Sequence, residues 1–498
     1  MSDTHKQRTL TGVAWNFFKV LGQTFIGVGV NVILARLLPP SDFGTLALAM
    51  VFISFAELIS SIGLGPAIVQ RKGLTERHLQ VATTLSLIMG IVLVGLFMIC
   101  ADAVALFFNE PKLALAIRIL AASMFFSSIA APSRGVLIRR MDFRRLAVVD
   151  IGAYALGFAA VSITLALCGF GFLSLVIGSA VANVISAVAV LFLQPPKLPL
   201  SLSGHEARDL LGFGSGFSLN STINHLAANV DYLVVGKFLS MGSLGLYTRS
   251  YQLVTMPLTK IAATMSSALF PSYAEIQEDR ELLARAYFRA VNATALATFP
   301  ILIVCAAASD TIIVGLYGTA WSGAADVFRI LCLAGMLKAV FHLAGAVVQA
   351  TGNIYAEVKC QLVYLSLLTV GCLVAVQGGI EAVGWAVVVG STWLYLSMAR
   401  LALNIVHSTW SEFFGAQRAG VAVGLLVASV QLLVLLIERT WFSLAPPAVL
   451  VILMVTSGVT LAAVLLFCPR AIVGDMPSWL VHQYGERMPL FLRRLMAR

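Results

Sequence analysis

The sequence predicts an all-α, polytopic membrane protein of about 14 transmembrane helices, built as two pseudo-symmetric six-helix lobes followed by two C-terminal helices. Three observations predict it. The 498 residues are 59% hydrophobic and only 11% charged, against ~25% charged residues in ordinary soluble domains. Apolar runs of about 20 residues recur from end to end, each long enough to cross a ~30 Å hydrocarbon layer as a helix. Those runs are continuously apolar rather than alternating, which excludes a membrane β-barrel and leaves the helix as the way to satisfy the backbone without water. A mean hydropathy of +0.93 likewise excludes a soluble enzyme.

Taken in order, the first span runs over 10–37, after a polar, basic segment from Met1 to Arg8. No small-residue cleavage site follows this first apolar stretch, so the N-terminus is not read as a removed signal peptide. Spans 2 to 6 follow at 42–66, 79–107, 113–138, 143–168 and 171–194, spans 7 to 12 at 209–236, 243–270, 283–308, 323–350, 355–377 and 380–406, and spans 13 and 14 at 418–437 and 446–467. Even the longest outward loop, around Ser309 to Ser322, is too short for an extramembrane domain. The last stretch, Met476 to Arg498, mixes apolar residues with arginines, in the manner of an interfacial segment on anionic lipid or of a solvated tail.

Charge orients the chain. Counted with the N-terminus inside, the inward loops collect Arg71, Lys72 and Arg77, then Arg134, Arg139, Arg140, Arg144 and Arg145, then Arg280, Arg285 and Arg289, and the arginines of the tail. The outward side holds only Arg36, Lys112, Arg118, Lys237, Arg329 and Arg439. Short cytoplasmic loops are the ones enriched in Lys and Arg, so both termini are expected in the cytoplasm. The formal net charge of +10 is therefore mostly topology, and no nucleic-acid partner is implied. The seven cysteines are scattered singly without C-x-x-C spacing, so no metal site or redox pair is expected.

An internal repeat emerges on comparing the halves. Ala35-Arg-Leu-Leu-Pro-Pro-Ser-Asp-Phe-Gly44 and Gly236-Lys-Phe-Leu-Ser-Met-Gly-Ser-Leu-Gly245 share the basic residue, the leucine and the glycine at an offset of 201, and Arg118-Ile-Leu120 matches Arg329-Ile-Leu331 at an offset of 211. Both pairs link a span to the sixth one after it, on the same side of the membrane, which makes the repeat parallel. The expected domains are an N-terminal lobe at 1–194, a proline-bearing cytoplasmic linker at 195–208, a C-terminal lobe at 209–407, spans 13 and 14 within 408–468 and a cytoplasmic tail at 469–498.

Four stretches carry a family likeness: Leu34-Ala-Arg-Leu-Leu-Pro-Pro-Ser-Asp-Phe-Gly-Thr-Leu46, Pro132-Ser-Arg-Gly-Val-Leu-Ile-Arg-Arg-Met-Asp-Phe-Arg145, Gly245-Leu-Tyr-Thr-Arg-Ser-Tyr251 and Phe270-Pro-Ser-Tyr-Ala-Glu-Ile-Gln277. Over roughly residues 10 to 410 the chain resembles bacterial polysaccharide transporters, the Wzx-type oligosaccharide-lipid flippases of the multidrug/oligosaccharidyl-lipid/polysaccharide exporter superfamily. The resemblance implies movement of an undecaprenyl-diphosphate-linked oligosaccharide across the bacterial cytoplasmic (inner) membrane for exopolysaccharide, capsule or O-antigen synthesis. It also implies alternating access between lobes, with membrane lipid, a polysaccharide polymerase and glycosyltransferases as partners and with no cofactor. A cation-coupled multidrug extruder and a lipid II flippase of the same superfamily are the alternatives.

The family supplies no strict catalytic motif, so the working residues come from the chain itself. An ionised side chain deep in a membrane costs several kcal/mol and marks a cavity or pathway. Lys19, Arg249, Lys260 and Lys338 are the candidate cavity cations, and Glu57 and Asp231 the candidate groups for coupling an ion or proton. Helical spacing adds Asn16 and Gln23 to the stripe of Lys19, Asn220 and Asn224 to that of Asp231, and His342 and Gln349 to that of Lys338. Under the 201-residue offset Lys19 maps to Asn220 and Gln23 to Asn224. Lysine and arginine suit a diphosphate, whereas a drug cation needs inward carboxylates. Pro132, Pro257 and Pro300 lie inside spans and are the candidate hinges. No phosphate-cradling G-x-x-x-x-G-K-[ST] loop occurs, and no sizeable outer loop gathers acids as a membrane polymerase or glycosyltransferase needs.

Overall fold

The computed structural model describes residues 3–61, 64–71, 73–197, 204–442 and 444–467, and within the helices it leaves out the side chains of stretches that include 3–14, 16–18, 208–223 and 257–268. The chain runs through α1 (Asp3–Leu37), α2 (Pro40–Ser61), α3 (Leu64–Gln70), α4 (Glu76–Phe108), α5 (Pro111–Arg139) and α6 (Phe143–Ala153), then a π-helical segment (Tyr154–Ala160), α7 (Val161–Leu167) and α8 (Phe172–Leu193). It continues through α9 (Gly204–Phe238), α10 (Met241–Glu275), α11 (Arg280–Ala307), α12 (Ser309–Tyr317), α13 (Ala325–Ala350), α14 (Ile354–Ala375), α15 (Gly379–Val406), α16 (Trp410–Trp441) and α17 (Pro446–Phe467). No strand occurs among the described residues.

Every span expected from the sequence falls on a helix or helical run, and ten helical stretches among the described residues are long and apolar enough to cross a membrane. The Ile354–Val406 stretch, which holds α14 and α15, counts once among those ten, and α1, α9 and α10 are helical over the expected ranges without belonging to them. Within span 2 the described residues are helical over Pro40–Ser61 and Leu64–Gln70. Helix ends follow local chemistry. Thr75 and Thr409 accept from the backbone N–H of His78 and Glu412 while those side chains reach back, closing capping boxes on α4 and α16. Asp279 caps α11 through the Leu282 N–H, and Glu110 precedes Pro111 at the start of α5.

The chain divides into two units, Met1–Gly245 and Leu246–Arg498. In the first, α5 packs against α2, α3, α4 and α8, while α9 packs against α2, α3 and α4. Ile91, Val92, Leu96 and Ile99 of α4 stay exposed, as a face that hydrocarbon would cover. Still within this unit, a Cβ on Gly44 of α2 would collide with the Met241 carbonyl, and one on Gly245 of α10 with the Pro40 carbonyl. These contacts are images of each other under the 201-residue offset, and glycine at both positions lets the backbones meet.

In the second unit, α13 packs against α11, α12, α14 and α15, and its small residues Ala334, Ala339, Ala344 and Ala346 are buried. The α11–α16 contact rests on Gly420 and Gly424, one turn apart. A Cβ on Gly420 would lie 2.5 Å from the Ala295 carbonyl oxygen, and one on Gly424 3.2 Å from Pro300 Cα. Small residues at that spacing allow close backbone packing where lipid supplies no hydrophobic drive between helices.

Candidate functional site

The polar residues within the helices form separate groups in each unit. In the first unit, Lys19 of α1 donates from Nζ to Asp150 Oδ2 of α6 at 2.9 Å. Arg134 of α5 grips the same carboxylate through Nη1 to Oδ2 at 3.2 Å and Nη2 to Oδ1 at 2.5 Å, and Nη2 also donates to Ser186 Oγ of α8 at 2.9 Å. Gln23 donates from Nε2 to the Asp150 carbonyl at 3.2 Å, so the expected pair of Lys19 and Gln23 does share a face of α1, turned to α6. Lys19 is thus ion-paired, and the balance of four cations against two acids drawn from the sequence is corrected. Asp150 and Arg134 also lie within helices and belong to the count.

Sequence reasoning missed both because they sit near the ends of spans 5 and 4, where Arg134 was absorbed into the orientation signal. An acid seven residues past the start of a span, opposite a basic residue just past Pro132, was the signal available.

The arginines after Arg134 have local partners. Arg139 donates to the carbonyls of Ile68 at 2.7 Å and Arg71 at 2.5 Å, closing the C-terminal end of α3. Arg140 binds Gln194, Arg144 lies over the Trp15 ring, and Arg145 pairs with Asp142.

Elsewhere in this unit, His225 of α9 meets Ser54 Oγ and the Val51 carbonyl of α2 at 3.4 and 3.3 Å, and its own carbonyl accepts from Asn229. Glu57, three residues beyond Ser54, is exposed, and so is Asn224 beside His225. Asp231 is buried, with Oδ1 accepting from the Tyr232 N–H at 3.0 Å.

In the second unit, Lys338 of α13 donates to Tyr251 Oη of α10 at 2.6 Å and stands 4.9 Å from the centre of that ring. Buried Arg249, two residues earlier on α10, donates to Gln252 Oε1 at 2.7 Å. The two cations therefore engage different residues of one helix. His342 is exposed and lies beside the Phe341 ring, with centroids 4.2 Å apart and the planes tilted by 30°. Gln349 donates to both carboxylate oxygens of Glu357 at 3.2 and 3.0 Å, and Gly345 leaves room for that carboxylate, 3.5 Å from where its Cβ would be. Tyr251 and Glu357 are further residues the sequence did not single out. Pro132 and Pro300 are buried inside α5 and α11. Asn16, Asn220, Pro257 and Lys260 lie outside the residues whose side chains are described, as does the tail from 469 onward. Among the described residues no group of His, Cys, Asp and Glu has the geometry of a metal site.

A family profile described as "Polysaccharide biosynthesis protein" matches residues 33–326. The chain is 25% identical to the teichuronic acid biosynthesis protein TuaB of Bacillus subtilis, over 82% of this chain and 85% of that one. It is 24% identical to the lipopolysaccharide biosynthesis protein WzxC of Escherichia coli, over 71% and 72%, and 25% identical to the succinoglycan biosynthesis transport protein ExoT of Rhizobium meliloti, over 67% of each. Among solved structures, the lipid II flippase MurJ in an inward closed conformation aligns with a TM-score of 0.69 at 14% identity, over 96% of this chain and all of that one. An inward-facing multidrug resistance MATE family transporter of the MOP superfamily aligns at 0.57 and 17% identity, over 77% of this chain and 94% of that one. At such identities the structural likeness speaks for the fold.

Proposed function

The chain belongs to the polysaccharide biosynthesis protein family, and from that membership we propose that it flips undecaprenyl-diphosphate-linked oligosaccharide repeat units across the cytoplasmic membrane, without enzymatic chemistry of its own. The relatives' names attach to three different polymers, teichuronic acid, lipopolysaccharide and succinoglycan. On this proposal the feature common to the substrates is the lipid-linked diphosphate rather than any one sugar.

The observation that carries the reading is a cation fixed on an enclosed helix. Lys338 stands on α13, between mostly buried neighbours, with its ammonium held by the Tyr251 hydroxyl. An ionised lysine at that depth is costly unless it serves a polar pathway, and a positive group there attracts a diphosphate while repelling a drug cation. Arg249 and Lys260 on α10 and Lys19 on α1 are assigned to the same task, with Asn16, Gln23, Asn220, Asn224, His342 and Gln349 as sugar-facing or phosphate-facing polar groups. Glu57 and Asp231 are assigned to ion or proton coupling, and Pro132, Pro257 and Pro300 to bending.

The lobes at 1–194 and 209–407, joined by the cytoplasmic linker at 195–208, would alternate access around these groups, with both termini in the cytoplasm. The reciprocal placement of Gly44 and Gly245 supports the repeat. Polymerase and glycosyltransferases are proposed as neighbours in the same synthetic route. Deletion of the gene should leave lipid-linked repeat units on the inner leaflet and strip the surface of polymer, and return of the intact chain should reverse both. A deletion strain with normal surface polymer would remove this function.

A further inference from the structure

The cluster around Asp150 has the composition of an anion site rather than of a closed ion pair. One carboxylate, with 10% of its side chain exposed, holds two cations whose side chains are 25% (Lys19) and 36% (Arg134) exposed. The acid is the buried member and the cations face outward, leaving a net charge of one positive unit. Donor bookkeeping points the same way. Lysine carries three N–H donors and arginine five; the contacts described above use one on Lys19 and three on Arg134, two to Asp150 and one to Ser186. The rest are available to oxygens arriving from the open side.

The acid is itself firmly set. Its carbonyl accepts from both Gln23 Nε2 and the Tyr154 N–H. Four residues after it the helix widens into the π segment Tyr154–Ala160, a departure from α geometry that recurs at functional positions. At 1.5 Å per residue Asp150 lies about 10 Å along α6 from that helix's first residue, near the end that the charge pattern assigns to the cytoplasm.

We propose that Lys19 and Arg134 form a binding site for a phosphate or diphosphate group, with Asp150 as the positioning residue that holds the two cations in place and competes with the incoming anion for them. The ligand takes one side of the cations while Asp150 keeps the other. As it leaves, the carboxylate reclaims their full attraction, so neither the empty nor the loaded state is a trap. The site rests on the reading of the chain as a carrier of lipid-linked phosphates, and its chemistry fits the substrate's diphosphate and the head group of an anionic phospholipid alike.

The test is titration of the purified full-length protein, in phosphatidylcholine nanodiscs, with inorganic pyrophosphate. K19Q and R134Q should each weaken binding by about tenfold, the value of one charge-assisted contact. D150N, which removes the competitor, should tighten it several-fold, and D150E should behave as the unaltered protein. Opposite signs for the cation and acid variants are what a merely architectural ion pair does not give. Equal affinities in all four variants, or no binding by the unaltered protein, would overturn the site. If D150N fails to fold, K19Q and R134Q still decide. Repeating the titration with phosphatidylglycerol identifies the source: weaker pyrophosphate binding that K19Q abolishes means that lipid head groups share the site, and an unchanged value assigns it to the diphosphate.

The two readings fail separately. Normal lipid-linked intermediates in the deletion strain, with the order of affinities intact, would remove the transport reading and leave the site. Accumulated intermediates with equal affinities would do the reverse.

Discussion

Tyr251 illustrates how a neutral residue controls a charge. Its hydroxyl accepts from Lys338 at 2.6 Å, fixing an ammonium that would otherwise swing on four rotatable bonds. Y251F keeps the ring and removes the acceptor, and a charge-assisted hydrogen bond of about 1.5–3 kcal/mol implies a loss of roughly tenfold or more in export rate at unchanged protein level. Quantifying lipid-linked intermediates in complemented cells measures it. K338E reverses the charge and should abolish rescue altogether; rescue at the normal level would take Lys338 out of the pathway. Lys338 was legible in the sequence because a lysine in the middle of an apolar run has no ordinary explanation. Tyr251 was not, since a tyrosine in a membrane helix is common, and only the approach of α13 to α10 gives this one a task. Asp150 and Arg134 were hidden differently. Each lies close enough to a span's end to pass for an interfacial charge, and their importance comes from meeting each other and Lys19 across three helices.

At the level of the helix, two kinds of residue decide how elements pack and bend. Pro300 removes a backbone donor inside α11, and Pro132 does so inside α5. If these are working joints, P132A and P300A should insert normally yet slow export, and unchanged export from both would assign the prolines to architecture. Pro300 also faces Gly424 of α16, and Gly420 faces the Ala295 carbonyl. A leucine at Gly420 would be driven into backbone that cannot retreat, so G420L should lose on the order of 1–3 kcal/mol of stability, read as an earlier thermal unfolding of the detergent-solubilised protein. The positions of the helices were readable from hydropathy and charge, and the helices fall where the spans were expected. The π segment after α6 was not read. It interrupts a run that stays apolar throughout, so hydropathy does not change where the backbone geometry does.

For the molecule as a whole, the distribution of Lys and Arg makes a prediction independent of any site. Thr4→Cys and Met496→Cys, each introduced singly in a background lacking the seven native cysteines, should react with a membrane-impermeant thiol reagent only after the cells are opened. Labelling of intact cells at either position would invert the topology and with it the inside assignment of the arginine-rich loops. The family and the fold were legible because a membrane solvent leaves few choices. An apolar run of this length must be a helix, basic loops are expected inside, and the matches at offsets of 201 and 211 are the basis on which a repeat is proposed. What the sequence determined was therefore which segments are helices, which solvent sets, and the side each loop faces is the expectation that its charges add. What tertiary structure decided was which charges meet. Partners such as Asp150 and Arg134 are 16 residues apart, and Lys19 and Asp150 131 apart. Whether an ion in hydrocarbon is paired depends on how separate helices are turned toward one another, which no local pattern of residues records.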